Sequence, residues 1–415
     1  MAFLIIGGRA IAWPRLISLG LMLNLTMAYA DDWPQFRGPQ HNGISEETQW
    51  RKNWSSVPPK PIWSAELGIG FAGVSVAHGR VLGIGHIGDD DVVQCFDENT
   101  GEPQWEYRFP SDLGAMFYIG GPGSTPTIDE KAKRVYALGK WGELFCFDLL
   151  NGNMIWQRQV ASEEDLVVPD WGFNGSPLIS GELIILNLGT AGMAVDKESG
   201  KTVWKSEGTE CGYSTPLPYE DGGKSFVAVS SGEAYSGVEV ATGKLAWSIP
   251  WFTRYGVNAA DPIIWKGQVF VSSGYQKGAG LFSLKGENPE FIWKQRRFRA
   301  QQNGPVRLGE YLYGFDGDSS SRAKLKCLAW SSGEVVWEDE QFGYGALSSS
   351  DGYLIVIASD GRLGIAKASP EVFQPVLTKP ILKGDCWTAP VLANGRILCR
   401  NSKGNLVSLD VRRNP

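Results

Sequence analysis

Apolar residues along this chain fall into short alternating runs, cut by glycine-containing turns, and the runs recur as a set. The stretch before Trp156 shows one copy. Ser124-Thr125-Pro126-Thr127-Ile128 reads as a short innermost strand, with proline tolerated near its start. Arg134-Val135-Tyr136-Ala137-Leu138 and Glu143-Leu144-Phe145-Cys146-Phe147-Asp148 alternate as a second and third strand. Asn151-Gly152 predicts a hairpin turn in which both residues accept positive φ, and Asn153-Met154-Ile155-Trp156 predicts the fourth strand.

A nine-residue pattern, acidic-x-x-x-Gly-x-x-x-Trp, marks the end of each set. It reads Asp97–Gly101–Trp105, Asp148–Gly152–Trp156, Asp196–Gly200–Trp204 and Glu239–Gly243–Trp247, loosens to Trp293, and returns as Ala329–Gly333–Trp337. With Trp63, seven tryptophans stand in phase, between 42 residues (Trp63 to Trp105) and 51 residues (Trp105 to Trp156) apart. A four-stranded unit of this length cannot cover both its faces and must stack on copies of itself, which is the signature of a propeller blade. The acidic residue is expected to accept backbone N–H groups in the turn, and the tryptophan to wedge between neighbouring sheets.

The innermost strands carry a second mark, a small residue before proline: Thr125-Pro126, Ser176-Pro177, Thr215-Pro216, Asp261-Pro262, Gly304-Pro305 and Ala389-Pro390. Small residues suit the crowded centre of a ring. Counting units that begin near 71, 116, 170, 210, 254, 298, 342 and 384 gives eight. The seventh departs from the pattern, with Ala368-Ser369-Pro370 in place of Asn-Gly. The last has three strands, while Pro61-Ile62-Trp63-Ser64 is a strand without a blade. Pairing the two removes two open edges. The expectation is an all-β, eight-bladed propeller over residues 61–415, closed by its N-terminal strand, after an extended arm at 31–60 packed on the propeller's outside.

Residues 1–30 carry Arg9 and Arg15, an apolar run from Leu16 to Leu25, and Ala28-Tyr29-Ala30 before Asp31. They predict a signal peptide cleaved after Ala30 and a periplasmic or secreted protein. The mature chain has no apolar run long enough to span a membrane. The full chain's net charge of −6, more negative once the leader's Arg9 and Arg15 are removed, argues against nucleic acid as a partner. Six cysteines in an exported chain raise the question of disulfides. Cys95, Cys146 and Cys327 occupy one slot in separate blades, too far apart to bridge, so buried free thiols are expected. His41, His78 and His86 show no zinc spacing. Asp89-Asp90-Asp91 and Asp316-Gly317-Asp318-Ser319-Ser320-Ser321 fit surface loops better than calcium loops.

The blade pattern, with Trp33-Pro34-Gln35-Phe36-Arg37-Gly38-Pro39 at the start, resembles the pyrroloquinoline-quinone (PQQ) repeat of eight-bladed propellers over about residues 31–410. The resemblance implies fold more than function, because the motif holds sheets together and touches no cofactor. Quinoprotein dehydrogenases of this kind hold PQQ and calcium in the central funnel, and many add a vicinal Cys–Cys disulfide. Other members bind no PQQ, among them the outer-membrane assembly lipoprotein propeller, which contacts proteins. This chain has no Cys-Cys pair and is shorter than the dehydrogenases.

The loops entering the innermost strands open on one mouth of the channel and are rich in aromatic and polar residues. They make Trp171, Asn174, Glu210, Tyr213, Arg254, Tyr255, Asn258, Gln302, Asn303 and Trp387 the candidate ligand-binding residues. Aromatic rings there could stack on a planar ligand or sugar, and Arg254, steadied on Tyr255, could pair with an anionic group. No nucleophile-and-base order stands out. The expected function is a non-catalytic scaffold that binds protein or carbohydrate, with no cofactor. The alternative is a PQQ- and calcium-dependent oxidoreductase, for which Glu210, Asn258, Asp261 and Asp170 would be the metal-ligand candidates.

Overall fold

The computed structural model describes residues 31–54, 58–286, 288–317 and 322–413. The predicted leader and the loop positions 318–321 lie outside the described residues. Eight antiparallel sheets form a closed ring, each built from consecutive strands. Blade 1 comprises Ser75–Ala77, Arg80–Ile87, Asp90–Asp97 and Pro103–Pro110, and blades 2 to 7 follow in chain order. Blade 8 takes Val391–Ala393, Arg396–Arg400 and Asn405–Asp410 from the C-terminus and Pro61–Glu66 from the N-terminus, with Trp63 opposite Ser408. The orphan strand thus closes the ring as expected. Among the described residues the only helix is Val160–Glu163.

Each sheet buries both faces against its neighbours, so the core is a series of clusters between blades. Leu82 and Cys95 of blade 1 meet Phe145 and Phe147 of blade 2 in one of them. All six cysteines are buried free thiols, and burial pushes those of Cys95 and Cys146 up to about 12.

The recurring turn differs in detail from the predicted two-residue hairpin. Only its glycine adopts positive φ, 72° at Gly152. Asp148 Oδ1 accepts the N–H groups of Leu150 and Asn151, and a bulge follows between Met154 and Trp156. The acidic side chain organises the turn, as expected, but through an Asx arrangement that leaves Asn151 right-handed.

The tryptophans do not wedge deep between sheets. Trp63, Trp105, Trp156, Trp204 and Trp293 each lie on the glycine turn of the next blade, near the ring's outer edge. A Cβ at Gly200 would stand 2.8 Å from the Trp156 ring, so the ring needs glycine beneath it. The indole N–H donates to a backbone carbonyl of that next blade: Trp63 to Glu98 at 2.9 Å, Trp105 to Leu149 at 2.9 Å, Trp156 to Lys197 at 3.1 Å, Trp204 to Val240 at 2.7 Å, Trp293 to Trp330 at 2.7 Å and Trp337 to Ser369 at 2.9 Å. Trp63 and Trp247 are buried and the others half-buried. Trp247 donates to the Tyr219 hydroxyl of its own sheet instead.

At the axis, the small residues before proline precede the innermost strands rather than lie in them; Thr127–Asp129 starts after Pro126. Their side chains link the blades. Gly73 N–H donates to Thr125 Oγ1, Thr125 N–H to Ser176 Oγ, Ser176 N–H to Thr215 Oγ1, and Thr215 N–H to Asp261 Oδ1. The series stops at Gly304, which has no side chain to continue it.

The arm supplies the missing group, and here the expectation of an outside position is overturned. Trp33 bridges to Val76 and the Ile128 N–H donates to Pro34, both on innermost strands. Arg37 then reaches across the axis, donating to the carbonyls of Gly304 and Pro305 and lying 3.9 Å from Asp261 Oδ2. Ile44–Ser45 adds a parallel fifth strand to blade 7, and buried Trp50 donates to Ser350. Innermost strands are sheet edges with unpaired polar groups. The arm satisfies them from within the ring and closes one end of the channel.

Candidate functional site

The opposite end of the channel opens as a funnel with a cavity of about 310 Å³. Seven of the eight blades contribute to its lining, and Phe36 of the arm forms its floor. The lining follows one register. Phe71, Gly123, Asn174, Tyr213, Ala259, Gln302 and Trp387 all face the cavity, and all occupy the same slot, four residues before the innermost strand begins. That slot is three before the proline in every blade that has one. The residue one step earlier turns between blades, as Phe173 and Asn258 do, both buried.

This register sorts the predicted residues. Trp171, Asn174, Tyr213, Gln302, Asn303 and Trp387 come together around the cavity. Asn258 does not; its amide donates to Ser231 and Trp251 carbonyls and accepts from Ser273, fixing the loop. Glu210 and Arg254 are exposed and lie outside the lining. Arg254 does stack over Tyr255, at 5.2 Å, and Tyr255 packs against the lining residue Tyr275. Of the metal candidates, Asp170 and Glu210 are exposed while Asn258 and Asp261 are buried and bonded elsewhere. Among the described residues no three His, Cys, Asp or Glu side chains gather about one point.

Two aromatic walls face each other. Tyr118, Phe71 and Trp387 form one, with Phe71 stacked on Trp387 at 5.1 Å and an interplanar angle of 21°, and Trp387 edge-on to Tyr344. Trp171 and Tyr213 form the other, 5.9 Å apart. Trp171 and Trp387 do not pack on each other, so the funnel stays open. On the lip, Phe117 is 97% exposed with φ of +64°, an outlying backbone for a bulky residue.

The polar groups are held in place. Asn174 donates to the Trp171 and Gly172 carbonyls, each at 3.0 Å. Asn303 donates to the Trp387 carbonyl, and Gln302 Oε1 accepts the Tyr344 hydroxyl. Below them Asp261 is the single carboxylate of the lining. Burial raises its pKa to about 6 against the pull of Arg37, whose own pKa burial lowers.

PQQ with calcium requires cationic partners for its carboxylates and roughly six to eight oxygen ligands for the metal. No lysine or arginine lines the funnel, and Asp261 already accepts from Thr215 and faces Arg37. This lining does not fit that pair.

Sequence reasoning missed Phe36, Phe71 and Tyr275. The shared slot before the innermost strand would have found Phe71. Nothing local marks Phe36, which arrives with the arm, or Tyr275, which comes from a different loop of blade 5.

A second group escaped notice. His86 Nδ1 and Asp91 Oδ1 form a buried pair 2.9 Å apart, and Ser111 donates to Asp91 Oδ2. Asp91 is thus a strand residue paired in the interior, not part of a surface loop.

A family described as outer membrane protein assembly factor BamB matches residues 53–168 and 167–339. No curated protein matches the chain. Among solved structures, BamB from Moraxella catarrhalis is 16% identical with a TM-score of 0.64, covering 86% of this chain and 99% of that one. Quinohemoprotein alcohol dehydrogenase from Comamonas testosteroni is 14% identical with a TM-score of 0.68, covering 93% and 81%. The computationally designed Ika8 protein is 11% identical with a TM-score of 0.60, covering 85% and 98%. Likeness at these identities shows the shared fold. The match over most of its length places the chain in the family described as outer membrane protein assembly factor BamB, as a PQQ-like eight-bladed propeller.

Proposed function

We propose that this is an exported, non-catalytic binding propeller whose funnel holds a protein or carbohydrate ligand. The observation that carries the reading is the blind funnel itself: seven blades and the arm place aromatic faces and fixed amides around one cavity. Such concave, multi-loop sites are where propellers and other closed sheets take ligands. The lining's one titratable carboxylate is committed to structure, which favours binding over proton transfer. Export rests on the leader sequence, and N-terminal sequencing of the mature protein should begin at Asp31. No helix among the described residues is long and apolar enough to cross a membrane.

The test immobilises the mature protein and passes over it extracytoplasmic protein and polysaccharide fractions from its own source. A component should be retained by the intact protein and lost by the Trp171→Ala/Trp387→Ala double variant. Retention that ignores the double variant would put binding on the outer surface and sink the reading. Retention of quinone absorbance after incubation with PQQ and calcium would establish the oxidoreductase alternative.

A further inference from the structure

Resting on the funnel reading above, the geometry points to its ligand: we infer that the funnel recognises a neutral saccharide. The argument begins with charge. The shared slot contributes Phe71, Asn174, Tyr213, Gln302 and Trp387, with Gly123 and Ala259 leaving space between them. No position in that ring is charged, although the chain carries 39 basic and 45 acidic residues. Asp261 beneath is paired with Arg37. A charged ligand entering this cavity would lose water and gain no counter-ion. A neutral ligand avoids that cost.

The remaining polar valences match hydroxyl groups. Asn174 and Asn303 spend their N–H groups on backbone carbonyls, which leaves Oδ1 of each as an acceptor. Gln302 spends Oε1 on Tyr344, which leaves Nε2 as a donor. Acceptors and a donor with fixed directions suit a group that both gives and takes hydrogen bonds, as a sugar hydroxyl does. Because the amides are already oriented, little side-chain entropy is lost on binding.

The aromatic walls supply the other half. A pyranose is a disc with C–H groups on its faces and hydroxyls on its edge. Trp387 stacked on Phe71, and Trp171 edge-on to Tyr213, bring two groups of aromatic rings into the lining beside the amides. An extended peptide is captured differently, through a main-chain ladder on a strand edge. Here the lining is drawn from separate loops of seven blades, and the arm already pairs along the innermost strands of blades 1, 2 and 7. The cavity of about 310 Å³, with Phe36 of the arm in its lining, has room for the end or a short segment of a chain.

The test is isothermal titration of the mature protein with cellohexaose, maltohexaose and chitohexaose as neutral probes, oligogalacturonate as a charged one, and an uncharged Ser/Ala/Tyr hexapeptide. At least one neutral saccharide should bind. Trp387→Ala and Gln302→Ala should each weaken it tenfold or more in protein that circular dichroism shows still folded at the titration temperature, whereas Arg254→Ala, outside the lining, should leave it unchanged. Binding of no neutral saccharide, equal binding of oligogalacturonate, or saccharide binding that survives Trp387→Ala would overturn the inference. Hexapeptide binding abolished by Trp387→Ala, with no saccharide bound, would also overturn it while leaving the funnel as the binding site. Saccharide binding indifferent to both lining variants would remove the funnel reading as well.

Discussion

Arg37 shows how much one side chain can decide. It sits in a segment that reads as a polar, turn-rich lead-in, yet it is largely enclosed at the axis and donates to Asn42, Gly304 and Pro305. It also faces the buried carboxylate of Asp261, where the hydroxyl series around the axis ends. Replacing it by alanine leaves that carboxylate without its cation and three carbonyls without a donor. Arg37→Ala should therefore cost about 3–5 kcal/mol, the range for breaking one side of a buried pair. Urea denaturation would measure it; a loss below about 1 kcal/mol would mean that water replaces the guanidinium. Nothing in the local sequence announces this role, because Asp261, Gly304 and Pro305 lie more than two hundred positions away.

Between residue and ring stands the blade, and its repeated turn is where sequence and structure agree most closely. The acidic residue, the glycine and the tryptophan belong to one joint, divided between consecutive blades. Trp156 covers Gly200 and donates to Lys197, so the joint couples blade 2 to blade 3. The same slots recur because the same joint must be made at each step around the ring. Trp247 is the exception, donating to Tyr219 of its own sheet. Since these rings are mostly half-buried, Trp156→Ala should cost about 3 kcal/mol, the low end for tryptophan truncation. Chemical denaturation would show it as a lowered midpoint, and an unchanged midpoint would show that the joint adds nothing. The pattern was legible because it is local: glycine stands four positions after the acid and tryptophan four positions after glycine.

At the scale of the whole molecule, the docked arm makes stability depend on pH. Glu47 accepts the Gly395 N–H with both oxygens at 3.0 Å, and burial, with Asp31 and Glu98 adding to it, pushes its pKa up to about 7 from 4.5. Asp261 is raised in the same sense, from 3.8 to about 6. A raised carboxyl pKa means that the folded state binds the proton more tightly than the unfolded chain. Its contribution is complete below the unfolded pKa and is lost as pH rises through the folded one. Tm should fall between pH 5 and pH 8 in the intact protein, with a limiting slope of about 1.4 kcal/mol per pH unit for each group. Glu47→Gln should flatten most of that slope above pH 6; an identical slope in the variant would assign the dependence elsewhere. The same scale separates what the sequence determined from what it could not. Blade count, strand order, ring closure and free cysteines followed from residue periodicity, because each blade repeats one short-range solution to covering its faces. Six of the ten proposed site residues reached the funnel for the same reason, since the loops entering the innermost strands must converge on the axis. Which side of each loop faces the cavity depends on a one-residue register, and that register left Asn258 inside the wall and brought Phe71 into the cavity. The arm's path across the axis was settled only by tertiary structure. Its contacts join residues hundreds of positions apart, and unpaired strand edges and a buried carboxylate at the ring's centre become visible only once the ring has closed.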